Sequence, residues 1–251
     1  MSRPRPRQIL SLARFEFEAF WGGPVGALAL LVFLGLEGLL FYNAAASYSL
    51  ANLAALARGG GVDASLVMFA SGLGDLGLLT ALVTPLATMR AFALSSQGGH
   101  LDLIQSWPLS RAELTLGLHL AACASLGLLA LLGLAPFVLL MFLGVGVVKT
   151  MLVAVLGLAL LIAAFSALGL AAASLCRTPM AAALTTLGIL GVMWALGWAA
   201  PYLPAKAGTL LQGLAFGPRL YHFTRGLIDL NDVIYFLALA AAGLFLARPV
   251  R

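Results

Sequence analysis

Charge is what this sequence has least of. Asp, Glu, Lys and Arg make up 9% of its 251 residues, where a soluble domain carries about 25%. With so few solvated side chains, a large soluble domain is excluded. Cysteine is scarce too. Cys123 and Cys176 have no Cys-x-x-Cys spacing and fall in or beside apolar runs. They read as reduced, small apolar residues, not as a disulfide or a metal site. No Gly-x-x-x-x-Gly-Lys-Ser/Thr run occurs, so the chain lacks the loop that cradles nucleotide phosphates. There is no His-Glu-x-x-His, and His100, His119 and His222 are far apart, which argues against a metal centre. No nucleophile-elbow pattern surrounds the serines, which leaves an intramembrane enzyme the weaker class.

What the sequence does have is apolar length. Hydrophobic residues make up 62% of it and its mean hydropathy is +1.05. Several apolar runs reach about 20 residues, the length that crosses a bilayer. The pattern predicts an all-α integral membrane protein forming a single transmembrane domain over residues 1–251. Its six expected spans cover residues 24–43, 66–89, 112–143, 150–175, 180–200 and 231–247. The third is long, and Pro136 is placed to kink it. Residues 44–65 read as an external loop and 144–149 as a short external turn. Residues 201–230 read as the longest external segment, with short re-entrant or interfacial helices broken at Pro204 and Gly217-Pro218. Ahead of the first span, Ile9, Leu12, Phe15, Phe20 and Trp21 alternate with Arg14, Glu16 and Glu18, the composition of an interfacial helix. The first apolar run is too long for a signal-peptide core and contains Glu37.

The formal net charge of +5 does not point to nucleic acid, because the basic residues are scattered at span ends. Arg3, Arg5, Arg7, Arg14, Arg90, Arg111, Arg177, Arg248 and Arg251 fall on one side of the expected topology. Arg58, Lys149, Lys206, Arg219 and Arg225 fall on the other. The positive-inside rule puts both termini in the cytoplasm, and the chain is expected in the cell's inner membrane. Two acids lie within spans, Glu37 in the first and Asp75 in the second. An ionised carboxylate at the bilayer centre costs about 2.5–3.5 kcal/mol on insertion scales. Both are therefore candidates for a polar substrate path or a titrating group, against the blander reading of hydrogen-bonded packing residues. Small residues four apart (Gly22 with Gly26, Ala167 with Ala171, Gly169 with Ala173) suit close helix packing and a dimer interface.

One polar stretch, residues 89–117, interrupts the apolar runs. Within it Leu101, Leu103, Ile104 and Trp107 recur at near-helical spacing opposite Asp102, Gln105 and Ser106. Gly98-Gly99 precedes them and Pro108 follows. Such a helix either rests on the lipid interface or docks into a partner.

The wording of this stretch resembles the cytoplasmic loop of type-2 ABC exporter permeases. The resemblance rests on Pro85-Leu86-Ala87-Thr88-Met89-Arg90-Ala91-Phe92, then Gly99, Leu101-Asp102-Leu103, Pro108-Leu109-Ser110, Glu113-Leu114 and Leu116-Gly117. It is strongest to the branch containing the gliding-motility permease and the copper-site maturation permease of nitrous oxide reductase. A second match covers His222-Phe223, Arg225-Gly226-Leu227-Ile228-Asp229, Asp232-Val233 and Tyr235-Phe236. The resemblance implies an N-terminal elbow helix and a coupling helix between spans two and three. It also implies a homodimer of permeases served by a separate ABC ATPase subunit that holds the ATP and Mg, with no cofactor on this chain. Arg90, Leu101, Asp102, Leu103, Trp107 and Glu113 are then the ATPase-coupling residues. The branch also admits a mechanical reading, in which the membrane module drives a periplasmic partner protein in place of carrying a solute. A non-ABC scaffold is the remaining alternative. Where the family carries paired Glu, this chain has Leu94-Ser95, which removes two negative charges from the face expected to meet the ATPase.

Overall fold

The structure is a computed structural model and describes residues 6–60, 68, 70–96, 110–144, 148–176 and 178–247. It is all-helical, with no strand among the described residues. In chain order the helices are α1 (Pro6–Trp21), α2 (Pro24–Leu56), α3 (Ala70–Ser96), α4 (Arg111–Gly133), α5 (Ala135–Phe142), α6 (Val148–Leu175) and α7 (Pro179–Ala199). After a 3-10 turn (Ala200–Tyr202) come α8 (Ala205–Leu214), α9 (Phe216–Thr224) and α10 (Leu230–Leu246). Five stretches are long and apolar enough to cross a membrane: Pro24–Leu56, Ser71–Met89, Ala112–Phe142, Val148–Leu175 and Pro179–Tyr202. This is the construction of a multi-pass membrane protein. The apolar α10 is shorter, at 17 residues.

Local signals start these helices. Ser110 and Glu113 form a capping box at α4, each binding the other's backbone N–H. Thr178 caps α7 by accepting from the Ala181 N–H at 3.2 Å, with Pro179 in the first turn. Asp229 caps α10 through the Asn231 N–H at 2.9 Å.

Several boundaries differ from the sequence expectation. Residues 44–56, expected as loop, continue α2 without a break. This stretch is rich in Ala and Leu and has no Gly or Pro before Gly59, so helix propensity carries the chain past the fall in hydropathy. Likewise α3 runs on through Arg90 to Ser96, into the stretch read as the start of the polar loop. The expected kink is present as a break at Leu134, just ahead of Pro136. Between α8 and α9 the break falls at extended Ala215, not at Gly217-Pro218. Pro218 sits in the first turn of α9, where its missing N–H costs no helical bond.

The centre of the bundle is α6, which packs against α3, α4, α7, α9 and α10. Its small residues make this possible. A Cβ at Gly157 would lie 2.5 Å from the Phe223 side chain, one at Gly169 would lie 2.6 Å from the Thr88 hydroxyl, and Gly243 of α10 presses on the Ala167 backbone. The small residues singled out in the sequence are therefore used within the chain: Ala167, Gly169, Ala171 and Ala173 are all buried in α6. By contrast α2 and α7 expose long apolar faces, including Leu28, Leu31 and Leu39 on one and Met180, Leu184 and Val192 on the other, as lipid-facing helices do.

The bundle has two distinct ends. Ile9 and Leu12 of α1 close over Gly117, near the start of α4. Ala247 packs with Leu170, Ala171 and Leu118, and the Ser174 hydroxyl reaches the Leu246 carbonyl at 3.5 Å. So α1, the start of α4, the α6–α7 turn and the end of α10 share one end.

The α6–α10 contact yields a test. A Cβ on Gly243 would sit 2.7 Å from the Ala167 carbonyl carbon, whereas one on Gly188 meets nothing within 4 Å. Gly243→Ala should lower stability by about 1–3 kcal/mol, the usual cost of overpacking. Gly188→Ala should be neutral or stabilising by up to about 1 kcal/mol. Thermal unfolding of both variants in one detergent checks the difference.

Candidate functional site

Of the residues expected to couple to an ATPase, Leu101, Asp102, Leu103 and Trp107 lie outside the described residues. Arg90 lies within α3, ahead of that segment. Glu113 is described in detail. Its carboxylate accepts from the Ser110 N–H at 2.7 Å, its own N–H donates to the Ser110 hydroxyl at 3.4 Å, and it is 7% exposed. Its visible work is to fix where the chain leaves the polar segment and enters α4. Beside it α1 lies against α4, and a cavity of about 20 Å³, room for one water, opens between Glu16, Phe20, Leu118, Ser125 and Leu170.

At the opposite end, α8, α9 and α10 are tied by one ionic cluster. Asp232, 3% exposed, accepts from Arg219 Nη1 at 2.8 Å and from His222 Nδ1 at 2.7 Å. The same guanidinium donates through Nη2 and Nε to the Gly213 carbonyl at 2.8 and 3.2 Å. It also lies 4.2 Å over the Tyr235 ring. Tyr235 in turn donates to the Leu214 carbonyl at 2.5 Å. Gly213 and Leu214 end α8, where carbonyls have no partner in their own helix. Arg219 and Tyr235 supply the missing donors. Asp232 also lies in the first turn of α10, where a negative charge suits the helix dipole. Below this clamp Phe216, Leu220 and Phe223 of α9 are fully buried in the main core. Residues 216–224 are thus part of the bundle, and α8 is fastened to it by the clamp.

Two further polar groups lie inside it. Ser166 of α6 sits 3.1 Å from His119 Nδ1 and 3.1 Å from Cys123 Sγ of α4, and reaches the Ala163 carbonyl at 3.2 Å. One proton arrangement satisfies all three, with His119 and Cys123 donating to the hydroxyl and the hydroxyl donating to the carbonyl. Cys123 is thus a free cysteine packed against the core, as expected, and makes a polar cross-helix contact besides. The signal was the His119–Cys123 spacing of one helical turn, but its partner comes from another helix. The second is Glu37, whose carboxyl oxygens are buried with no hydrogen-bond partner among the described residues. Its acidic neighbour is Asp75 of α3. Among the described residues, no group of three or more His, Cys, Asp or Glu side chains is arranged to hold a metal. Comparison with protein-family models and with curated proteins finds no match for the chain.

The clamp makes a measurable claim. Asp232 is far more buried than either partner, so removing Arg219 strands its charge. Arg219→Ala should cost about 3–5 kcal/mol, the penalty for breaking a buried pair from one side. Removing both charges in Arg219→Met with Asp232→Leu should cost less than the single change. His222→Ala, at a half-exposed ring, should cost least. Thermal unfolding of the variants measures the coupling.

Proposed function

We propose that the chain is the permease subunit of an ATP-driven exporter of the type-2 ABC class, working as a homodimer with two copies of a separate ATPase in the cell's inner membrane. The observation that carries this reading is the polar segment between α3 and α4, whose sequence resembles the coupling loop of that class. The fold supports it. The segment leaves α3 and enters α4 at the end of the bundle that also holds α1, the α6–α7 turn and the end of α10. That is the arrangement expected if this end is cytoplasmic. In this reading α1 is the interfacial elbow helix. The apolar α10 is the sixth span, accommodated by a tilted neighbour or a locally thinned bilayer.

Mechanistically, closure of the ATPase pair pushes on the helix of residues 99–107. Leu101, Leu103 and Trp107 are the apolar docking knobs, Asp102 is a polar contact and Arg90 an interfacial anchor. Glu113 acts by positioning, because its capping box sets the angle at which the segment meets α4. The α3 and α4 helices then carry the push to α6, against which both pack. A second reading, transmission of force to a periplasmic partner, is favoured by the Arg219–Asp232 clamp. It fastens the far segment to the bundle, as a lever requires and a loose gate does not.

Two outcomes are expected. The full chain, tagged and purified in detergent from its own host's membranes, should bring down a protein carrying a Walker phosphate-binding loop. Leu103→Ala with Trp107→Ala should abolish that recovery, since each buried Leu contributes about 1.5–3 kcal/mol and Trp is a favoured hot spot. Without the family's paired Glu, the complex should be nearly insensitive to moderate salt. Recovery unchanged by the double substitution would sink the docking role. Separately, a reporter fused after Arg251 should be active only in the cytoplasm; activity only in the periplasm would invert the topology.

A further inference from the structure

Glu37 stands apart from every other buried carboxyl described. It is 2% exposed, and both oxygens are sealed and without a hydrogen-bond partner among the described residues. Its depth is set by its neighbours one turn away on either side. Phe33 and Leu76 meet at Gly133, where an added Cβ would be 2.9 and 2.5 Å from them. Phe41 stacks edge-on against Phe137 with ring centroids 5.5 Å apart, and Phe137 fills the space beside Gly72. So α2 and α3 run antiparallel here, and Glu37, between Phe33 and Phe41, lies level with Asp75, between Gly72 and Leu76.

Asp75 is half-buried. The helices packed against α2 include α1, α3 and α4, and, through Phe137, α5, which carries no charged residue. Their other charged residues are Arg7, Arg14, Glu16 and Glu18 of α1, and Arg90, Arg111 and Glu113 at the loop-bearing ends of α3 and α4. The titratable His119 and Cys123 of α4 are engaged with Ser166. Two acids therefore share one depth between aromatic walls, with no cation placed opposite them among the described side chains. An unpaired carboxylate in such surroundings is costly, and neighbouring carboxyls resist being ionised together.

We propose that Glu37 and Asp75 form a binding site for one small monovalent cation, a proton or an alkali ion, held between α2 and α3. Oxygen-only donors suit hard cations. The sealed Glu37 oxygens leave no room for an organic cation, while half-buried Asp75 gives a small ion its way in. Bound charge lets α2 lie against α3, and its departure leaves two like charges facing each other, which favours separation of the two helices.

The test is infrared spectroscopy of the purified full chain in lipid nanodiscs near neutral pH, with NaCl exchanged for choline chloride, alongside thermal unfolding. If the occupant is a proton, the wild type shows a protonated-carboxyl C=O band that is insensitive to sodium and lost in Glu37→Gln. If it is an alkali ion, sodium shifts the carboxylate stretch and raises the Tm, and both responses are lost in Glu37→Gln. Asp75→Asn reads out the same site through its other member and should perturb whichever signal the wild type gives. A wild type with neither a protonated-carboxyl band nor any spectral or thermal response to sodium would overturn the proposal, whatever the variants do.

Discussion

Helices in lipid gain nothing by hiding leucine from the solvent, because lipid tails are as apolar as the side chains. Their association rests on close approach, and the bundle here depends on the small residues that allow it. Gly157, Ala167 and Gly169 let Phe223, Gly243 and Thr88 come into direct contact with α6. This explains why α6 is the helix that the others surround and why α2 and α7 keep their leucines outside. It also explains how the short helix α9 joins the core, with Leu220 seated at Gly77 and Phe223 at Gly157.

Polar groups obey the opposite rule, since each must find a partner within the bundle. Thr80, Thr84 and Thr88 return their hydroxyls to carbonyls one turn back, at 2.7, 2.7 and 3.0 Å. Ser166 ties α4 to α6, and Arg219 collects the stranded carbonyl of α8 together with the carboxylate of α10. These satisfied groups hold the shape. Glu37 breaks the rule with both carboxyl oxygens, as Gln8 Oε1 and the Trp21 and Trp194 ring N–H groups do with one atom each among the described residues.

Long apolar runs made the helical class and five of the spanning stretches legible in the sequence. The ends of those runs were less so. Hydropathy falls after Asn43, but Ala-rich sequence keeps α2 helical to Leu56, because backbone propensity and membrane residence are separate properties. The clusters were the least legible. Arg219 and Asp232 are 13 residues apart, and Ser166 lies 47 residues from His119, so no local period connects them. The motif from His222 to Phe236 was visible as wording. Its physical content, a carboxylate shared by a guanidinium and an imidazole, emerges only when α9 folds back over α10. Glu37 was the exception, since an acid within an apolar run announces itself.

What the segment between α3 and α4 touches decides how the bundle is driven, and a photo-crosslinker placed at Trp107 in the living cell's membranes measures that directly. If the segment couples the bundle to a motor, Trp107→p-benzoylphenylalanine should give a single protein adduct on illumination, with a chain that carries a nucleotide-binding loop. Adducts with lipid alone would show that the segment rests on the membrane surface and would contradict the coupling role.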